Sequence, residues 1–115
     1  MTRKVQLHIE SLEEAGARFV DAWHRLERGE DGGGKHVSFV SLEVLMAALT
    51  PRRLDLLRSL HDAPAASVAE LARRTGRDYK RVHEDVGALE TAGLIAREAD
   101  RLFVPFDEIE ASLRL

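Results

Sequence analysis

The segment from Ser67 to Ile95 reads SVAELARRTGRDYKRVHEDVGALETAGLI, and no other part of the chain constrains the fold as much. Ser67 opens a helix as its N-cap, and Glu70 stands three residues on, the spacing of a capping box. Val68, Leu71 and Ala72 share one face of that helix. Thr75-Gly76-Arg77 interrupts the pattern, and Gly76 is free to take a positive φ there. Asp78 caps a second helix whose Val82, Val86 and Leu89 fall on one face, with Tyr79 at its edge. Gly93 stops this helix as a C′ glycine.

The flanking residues extend the pattern. Downstream, Leu94–Arg97, Glu98–Arg101 and Leu102–Pro105 read as strand, turn, strand. Upstream, Thr50-Pro51 is the sharpest boundary, with Thr as N-cap and Pro at the first helical position. Leu54, Leu57 and Leu60 form the expected buried stripe of the helix it starts, and His61-Asp62-Ala63-Pro64 stops it. Residues 50–106 are therefore expected to form a winged helix-turn-helix.

Residues 1–49 read as a β-α-β-α extension. Val5, Leu7 and Ile9 alternate with polar residues at strand period. Ser11 starts a helix with Glu13 and Glu14 in its first turn, where negative charge is favoured. Leu12, Ala15, Phe19, Ala22, Trp23 and Leu26 recur at helical spacing up to about Arg28–Gly29. GEDGGGK over 29–35 is a loop by composition, His36–Val40 is β-prone, and a short helix carries Leu45, Met46 and Leu49. The extension is too small to bury all its apolar groups alone, so dimerisation or partner binding is its expected task. The tail, 107–115, reads as a strand through Ile109, Ala111, Leu113 and Leu115, or as a short helix capped by Asp107, and as a dimer contact. The expected class is α+β, mainly α with small β.

Composition narrows the functional classes. The 115 residues suit one compact domain, or a small domain with an extension. No run approaches the roughly 18 apolar residues of a membrane span, and no export signal precedes the first acidic cluster. There is no cysteine, which excludes disulfide scaffolds and Cys-ligated zinc and is compatible with a reducing, cytoplasmic setting. The net charge of −3 does not announce a nucleic-acid binder. Its distribution says more, because Arg73, Arg74, Arg77, Lys80 and Arg81 cluster against the single Asp78. Phosphate attraction is decided locally, since charges beyond about 8–10 Å are screened.

With Val82, Val86 and Leu89 turned to the core, the opposite face of the second helix carries Lys80, Glu84, Gly87 and Ala88, flanked by Arg81. Arg77, Tyr79, Lys80, Arg81 and Glu84 are then expected at the base edges of a major groove, where Arg and Lys suit guanine and Glu suits cytosine. His83 lies at the side. Arg73 and Arg74 before the turn, and Arg97 and Arg101 on the hairpin, are candidate phosphate contacts. The bland reading is a solvated helix face. The coincidence of the cluster with a turn and a helix N-terminus favours double-stranded DNA.

TPRRLDLL from Thr50, SVAELARR from Ser67, RDYKRVHEDV from Arg77 and LETAGLI from Leu89 resemble the MarR-like winged-helix regulators of prokaryotes, in particular an antitoxin-like subgroup. Ser11-Leu12-Glu13-Glu14 with Phe19 and Trp23 is also similar to that subgroup, so the resemblance covers nearly the whole chain. It implies a homodimer that binds an operator, with its own promoter as one such site. The long terminal dimerisation helices usual in MarR proteins have no counterpart here. Two functions follow as expectations. The first is an autoregulating repressor. The alternative is an antitoxin-like interaction module that neutralises a protein toxin.

Other constellations carry less. Gly29–Lys35 matches GxxxxGK, but His36 follows where a P-loop needs Ser or Thr, and Glu30 and Asp31 would repel phosphate. The five histidines show no metal-ligand spacing and no nucleophile elbow occurs, so neither an enzyme nor a cofactor is expected. Phe19 and Trp23 read as core or dimer interface in preference to a ligand-pocket wall.

Overall fold

The computed structural model describes residues 2–30 and 34–115. Residues 31–33 of the expected 29–35 loop lie outside the described residues. The fold is mixed α+β, in the order β1 (Lys4–Ile9), α1 (Leu12–Glu27), β2 (Lys35–Phe39), α2 (Leu42–Ala48), α3 (Pro51–Asp62), α4 (Val68–Thr75), α5 (Tyr79–Thr91), β3 (Ala96–Glu98), β4 (Arg101–Phe103) and β5 (Glu108–Leu113). The chain divides into two compact units, one of residues 1–45 with 108–115 and one of residues 46–107.

The first unit is built on a parallel three-stranded sheet in the order β2-β1-β5. The tail is thus a strand, and it pairs in register with β1 from Lys4↔Glu108 to Ile9↔Leu113. Strand exchange through Val5–Ile9 needs a free edge, and β1 is the central strand with both edges occupied. Alternation sends Val5 and Leu7 to a buried face, while Lys4, His8, His36, Ser38, Glu110 and Ser112 share the polar one. There His8 Nε2 lies 2.8 Å from His36 Nδ1, and the rings stack. Burial first, then the Arg18 charge, lowers the His8 pKa and so favours the neutral imidazole.

α1 begins as the sequence dictates. Ser11 accepts from the Glu14 amide while the Glu14 carboxylate accepts from the Ser11 amide, a complete capping box. Its packing is unexpected. Glu14, Ala17 and Arg18 line a cavity of about 430 Å³ with His8, Glu10 and Ser112, and Arg18 donates to Glu10. None of the helix's residues is buried.

The second unit packs α3, α4 and α5 around Leu56, Leu57, Leu60, Val68, Leu71, Ala72, Val82, Val86 and Leu89. Leu56 takes the buried place that spacing assigned to Leu54, which is half-buried. Thr50 accepts from the Arg53 amide with Pro51 at the helix start, and Ser67 accepts from the Glu70 amide. Glu70 reaches one residue further back than a capping box requires, accepting from the Ala66 amide. β3 and β4 form an antiparallel hairpin, and Ala65 bonds both ways with Leu102 on its far side. Leu94, Ile95, Leu102, Val104 and Phe106 close the core under it.

The hairpin turns at Ala99-Asp100, and Ala99 holds φ at +54°. An L-residue in the left-handed region is strained by about 1–2 kcal/mol, part of which glycine's extra freedom in the unfolded chain offsets. Ala99→Gly is expected to raise stability by about 0.5–1 kcal/mol in urea titration. A lower midpoint than wild type would show that the turn is unstrained.

Candidate nucleic-acid interface

The site is assembled where α4 turns into α5. Gly76 sits at φ +66° and donates its amide to the Arg73 carbonyl, while the Arg77 amide reaches the Ala72 carbonyl. Asp78 then caps α5 by accepting from the Arg81 amide. The turn needs the left-handed conformation at one residue, and Gly supplies it at least cost.

A part-buried ion cluster fixes the start of α5. Asp85 Oδ2 accepts from Arg77 Nη2 at 2.8 Å and Asp85 Oδ1 from Arg53 Nε at 3.1 Å. Arg53 also donates to the Ala47 and Ala48 carbonyls at the end of α2. The three side chains are only 17% (Asp85), 17% (Arg77) and 20% (Arg53) exposed. Burial alone pushes the Asp85 carboxyl up, but the bonds and charges of the two guanidinium groups outweigh it and hold it below the usual carboxylate range. One carboxylate thereby joins α3, the turn and α5.

The ten sequence-predicted residues divide by what holds them. Arg73, Tyr79, Lys80, Arg81, His83 and Glu84 are exposed along the turn and α5, opposite the buried Val82, Val86 and Leu89. Among the described residues, Arg73, Lys80 and Arg81 have no ion-pair partner. Tyr79 and His83 lie ring to ring, 5.8 Å between centroids. Three arginines expected at DNA are held within the fold. Arg77 is drawn inward by Asp85, away from the groove face assigned to it. Arg74 donates to the Ser59, Ala63 and Pro64 carbonyls and so fastens the end of α3. Arg97 makes two bonds to Glu90 and ties β3 to α5; this bonding lowers the Glu90 pKa and raises that of Arg97. Arg101 lies over the Phe103 ring at 5.5 Å and remains exposed.

Sequence reasoning missed Arg52. It is exposed on the first turn of α3 and lines two clefts with Arg81, one of about 380 Å³ that also includes Thr50, Arg53, Arg77, Glu84 and Asp85. Its only sequence signal was the Pro51-Arg52-Arg53 run. Asp85 and Arg53 were also missed as positioning residues, because their meeting depends on how α3 and α5 cross. Among the described residues no group of three or more His, Cys, Asp or Glu could hold a metal ion. No helix described is long and apolar enough to cross a membrane.

Residues 48–111 match the HVO_A0114 family. No curated protein and no solved structure shows significant similarity to the chain.

Proposed function

The chain belongs to the HVO_A0114 family, and we propose that it is a sequence-specific DNA-binding regulator that works as a homodimer, most simply as a repressor of its own promoter. In this reading residues 50–106 are a MarR-like winged helix-turn-helix, with α5 as recognition helix and the β3–β4 hairpin as wing. The observation that carries it is the pair Lys80 and Arg81. Both are exposed cations without ion-pair partners among the described residues, at the N-terminus of a helix whose other face is buried. An N-terminal helix turn attracts phosphate and presents side chains to base edges.

The roles follow from what each side chain is free to do. Tyr79, Lys80, Arg81 and Glu84 read the groove, with His83 beside them. Arg73, Arg52 and Arg101 meet backbone phosphates. Arg74, Arg77 and Arg97 hold the scaffold, being bonded internally. Gly87 and half-buried Ala88 keep the middle of α5 slim for close approach. Two such helices about a two-fold would enter successive major grooves about 34 Å apart.

The test is a gel shift on the chain's own upstream DNA at several salt concentrations, with unrelated DNA as competitor. Replacing Lys80 and Arg81 by Ala is expected to weaken binding. It should also flatten the slope of log affinity against log salt by about 0.9 for each phosphate that is no longer neutralised. The unfolding midpoint should not move, because both side chains are exposed. Unchanged affinity in the double variant, or no binding by folded wild type at low salt, would refute the assignment.

A further inference from the structure

α1 is sixteen residues long, amphipathic and without a single buried residue. Leu12, Phe19, Trp23 and Leu26 are 85%, 69%, 56% and 59% exposed, and Val20 lies beside them half uncovered. The reason is the way the helix faces. Glu14, Ala17 and Arg18 look onto the polar side of the sheet, lining the cavity with His8 and Ser112, and the ion pair of Arg18 with Glu10 anchors that side. The apolar side is left to solvent. A helix that spends its polar flank on its own sheet and offers its apolar flank outward is made for a partner.

We infer that this partner is a second copy of the chain, and that two α1 helices pair antiparallel about a two-fold near Phe19. Three observations select this occupant. First, Leu12, Gly16, Phe19, Trp23 and Leu26 follow one another at spacings of four, three, four and three, the seam of a two-helix coil. They span an arc of only about 80° on the helix. Second, the seam is complementary to itself in one direction only. An antiparallel copy sets the Trp23 indole beside Gly16 of the other copy, where an added Cβ meets nothing within 4 Å. A parallel copy would stack indole on indole and leave a gap between the two glycines. Third, antiparallel pairing opposes the two helix dipoles; its cost is one like-charge contact on the rim, where Glu13 of one copy comes beside Glu27 of the other.

The area is of the right order. Side chains of these sizes at these exposures present roughly 600 Å², the upper end of what a monomer leaves uncovered. Two such faces with their rims approach the about 1,200 Å² at which specific interfaces begin. The pairing rests on the first unit alone and not on DNA binding. It specifies the interface of the homodimer proposed above and is measured without DNA, so loss of pairing and loss of DNA binding are separate results.

Sedimentation of the full chain over a hundredfold range of concentration is expected to show a reversible dimer. Trp23→Asp should abolish it, with at least a tenfold weaker association and an unchanged far-ultraviolet spectrum. Gly16→Leu should weaken it as well, by filling the slot. That variant removes a glycine from a helix interior, so misfolding is no explanation for its effect. The chain has no cysteine of its own, which makes direction measurable. Mixed Glu13→Cys and Glu27→Cys chains should form the mixed disulfide in preference to either symmetric one. A monomer at every concentration, a dimer indifferent to both seam variants, or preferential 13-to-13 linkage would overturn the proposal. The first of these would leave the face to a different protein.

Discussion

Asp85→Ala is expected to lower the stability of the second unit by about 1–3 kcal/mol, less than breaking a fully buried ion pair because the cluster is only part-buried. The cost arises from what remains. Arg77 and Arg53 would keep most of their burial while losing the carboxylate they share. Two uncompensated cations then face each other, and the Arg77 side of the turn loses its anchor on α5. Asp85→Asn keeps the shape and one acceptor and should fall between the two. The effect has a pH signature. Asp85 has a folded-state pKa held below its ordinary 3.8, so its contribution is complete above about pH 4 and disappears as pH falls through the depressed value. Urea titrations of wild type and Asp85→Ala from pH 7 down to about pH 2 should converge at the acid end. A constant gap between the curves would mean that the pair contributes packing and no charge. The same variant should weaken DNA binding beyond its effect on stability, since the cluster aims the N-terminus of α5.

Leu71→Ala is expected to cost about 2–5 kcal/mol, for a different reason. Leu71 is fully buried in α4, in the core that α4 shares with α3 and α5. The residue is also fixed along the backbone, because its amide donates to the Ser67 carbonyl and its carbonyl accepts from the Thr75 hydroxyl. Arg74 ties α4 to the Ser59, Ala63 and Pro64 carbonyls at the end of α3, which limits how far α4 can slide into the space left by the missing methyl groups, so the cavity persists. This variant should lower the denaturation midpoint while the remaining folded molecules bind DNA with wild-type affinity. Replacing Lys80 and Arg81 should do the reverse, changing affinity and leaving stability alone. A loss under about 1 kcal/mol for Leu71→Ala would show that the three helices collapse around the gap.

Local chemistry was the legible part of the sequence. Ser11, Thr50, Ser67 and Asp78 all cap as their residue types and spacing require, and Gly76 and Gly93 take positive φ where turns need it. Each of those signals acts within four residues. What escaped reading depends on partners far away in sequence. The Arg77–Asp85–Arg53 cluster joins α3 to α5, and nothing in a helical wheel distinguishes Arg77, which turns inward, from Arg81, which does not. Periodicity located the apolar face of α1 but had no means of telling whether the chain itself would cover it. Arg74 and Arg97 were indistinguishable by composition from cations free for phosphate, since the carbonyls of Ser59, Ala63 and Pro64 announce nothing until α3 ends beside α4. The tail alternates at strand period and also fits a helix; only its pairing with β1 settles it.

That pairing has a consequence for how the molecule is made. His8 and Ser112, neighbours across β1 and β5, are 104 residues apart in the chain. A ribosome that has made β1 must release the whole of residues 46–107 before β5 exists. Until that moment β1 carries an unpaired edge, the feature that invites unwanted strand addition. Residues 46–107 hold a core of their own and are free to fold in the interval. Doing so replaces a long flexible loop by a compact segment, which lowers the entropy cost of closing the last strand. β1 is thus made before the strand that completes its sheet, and the sheet closes only after the segment inserted between them has emerged.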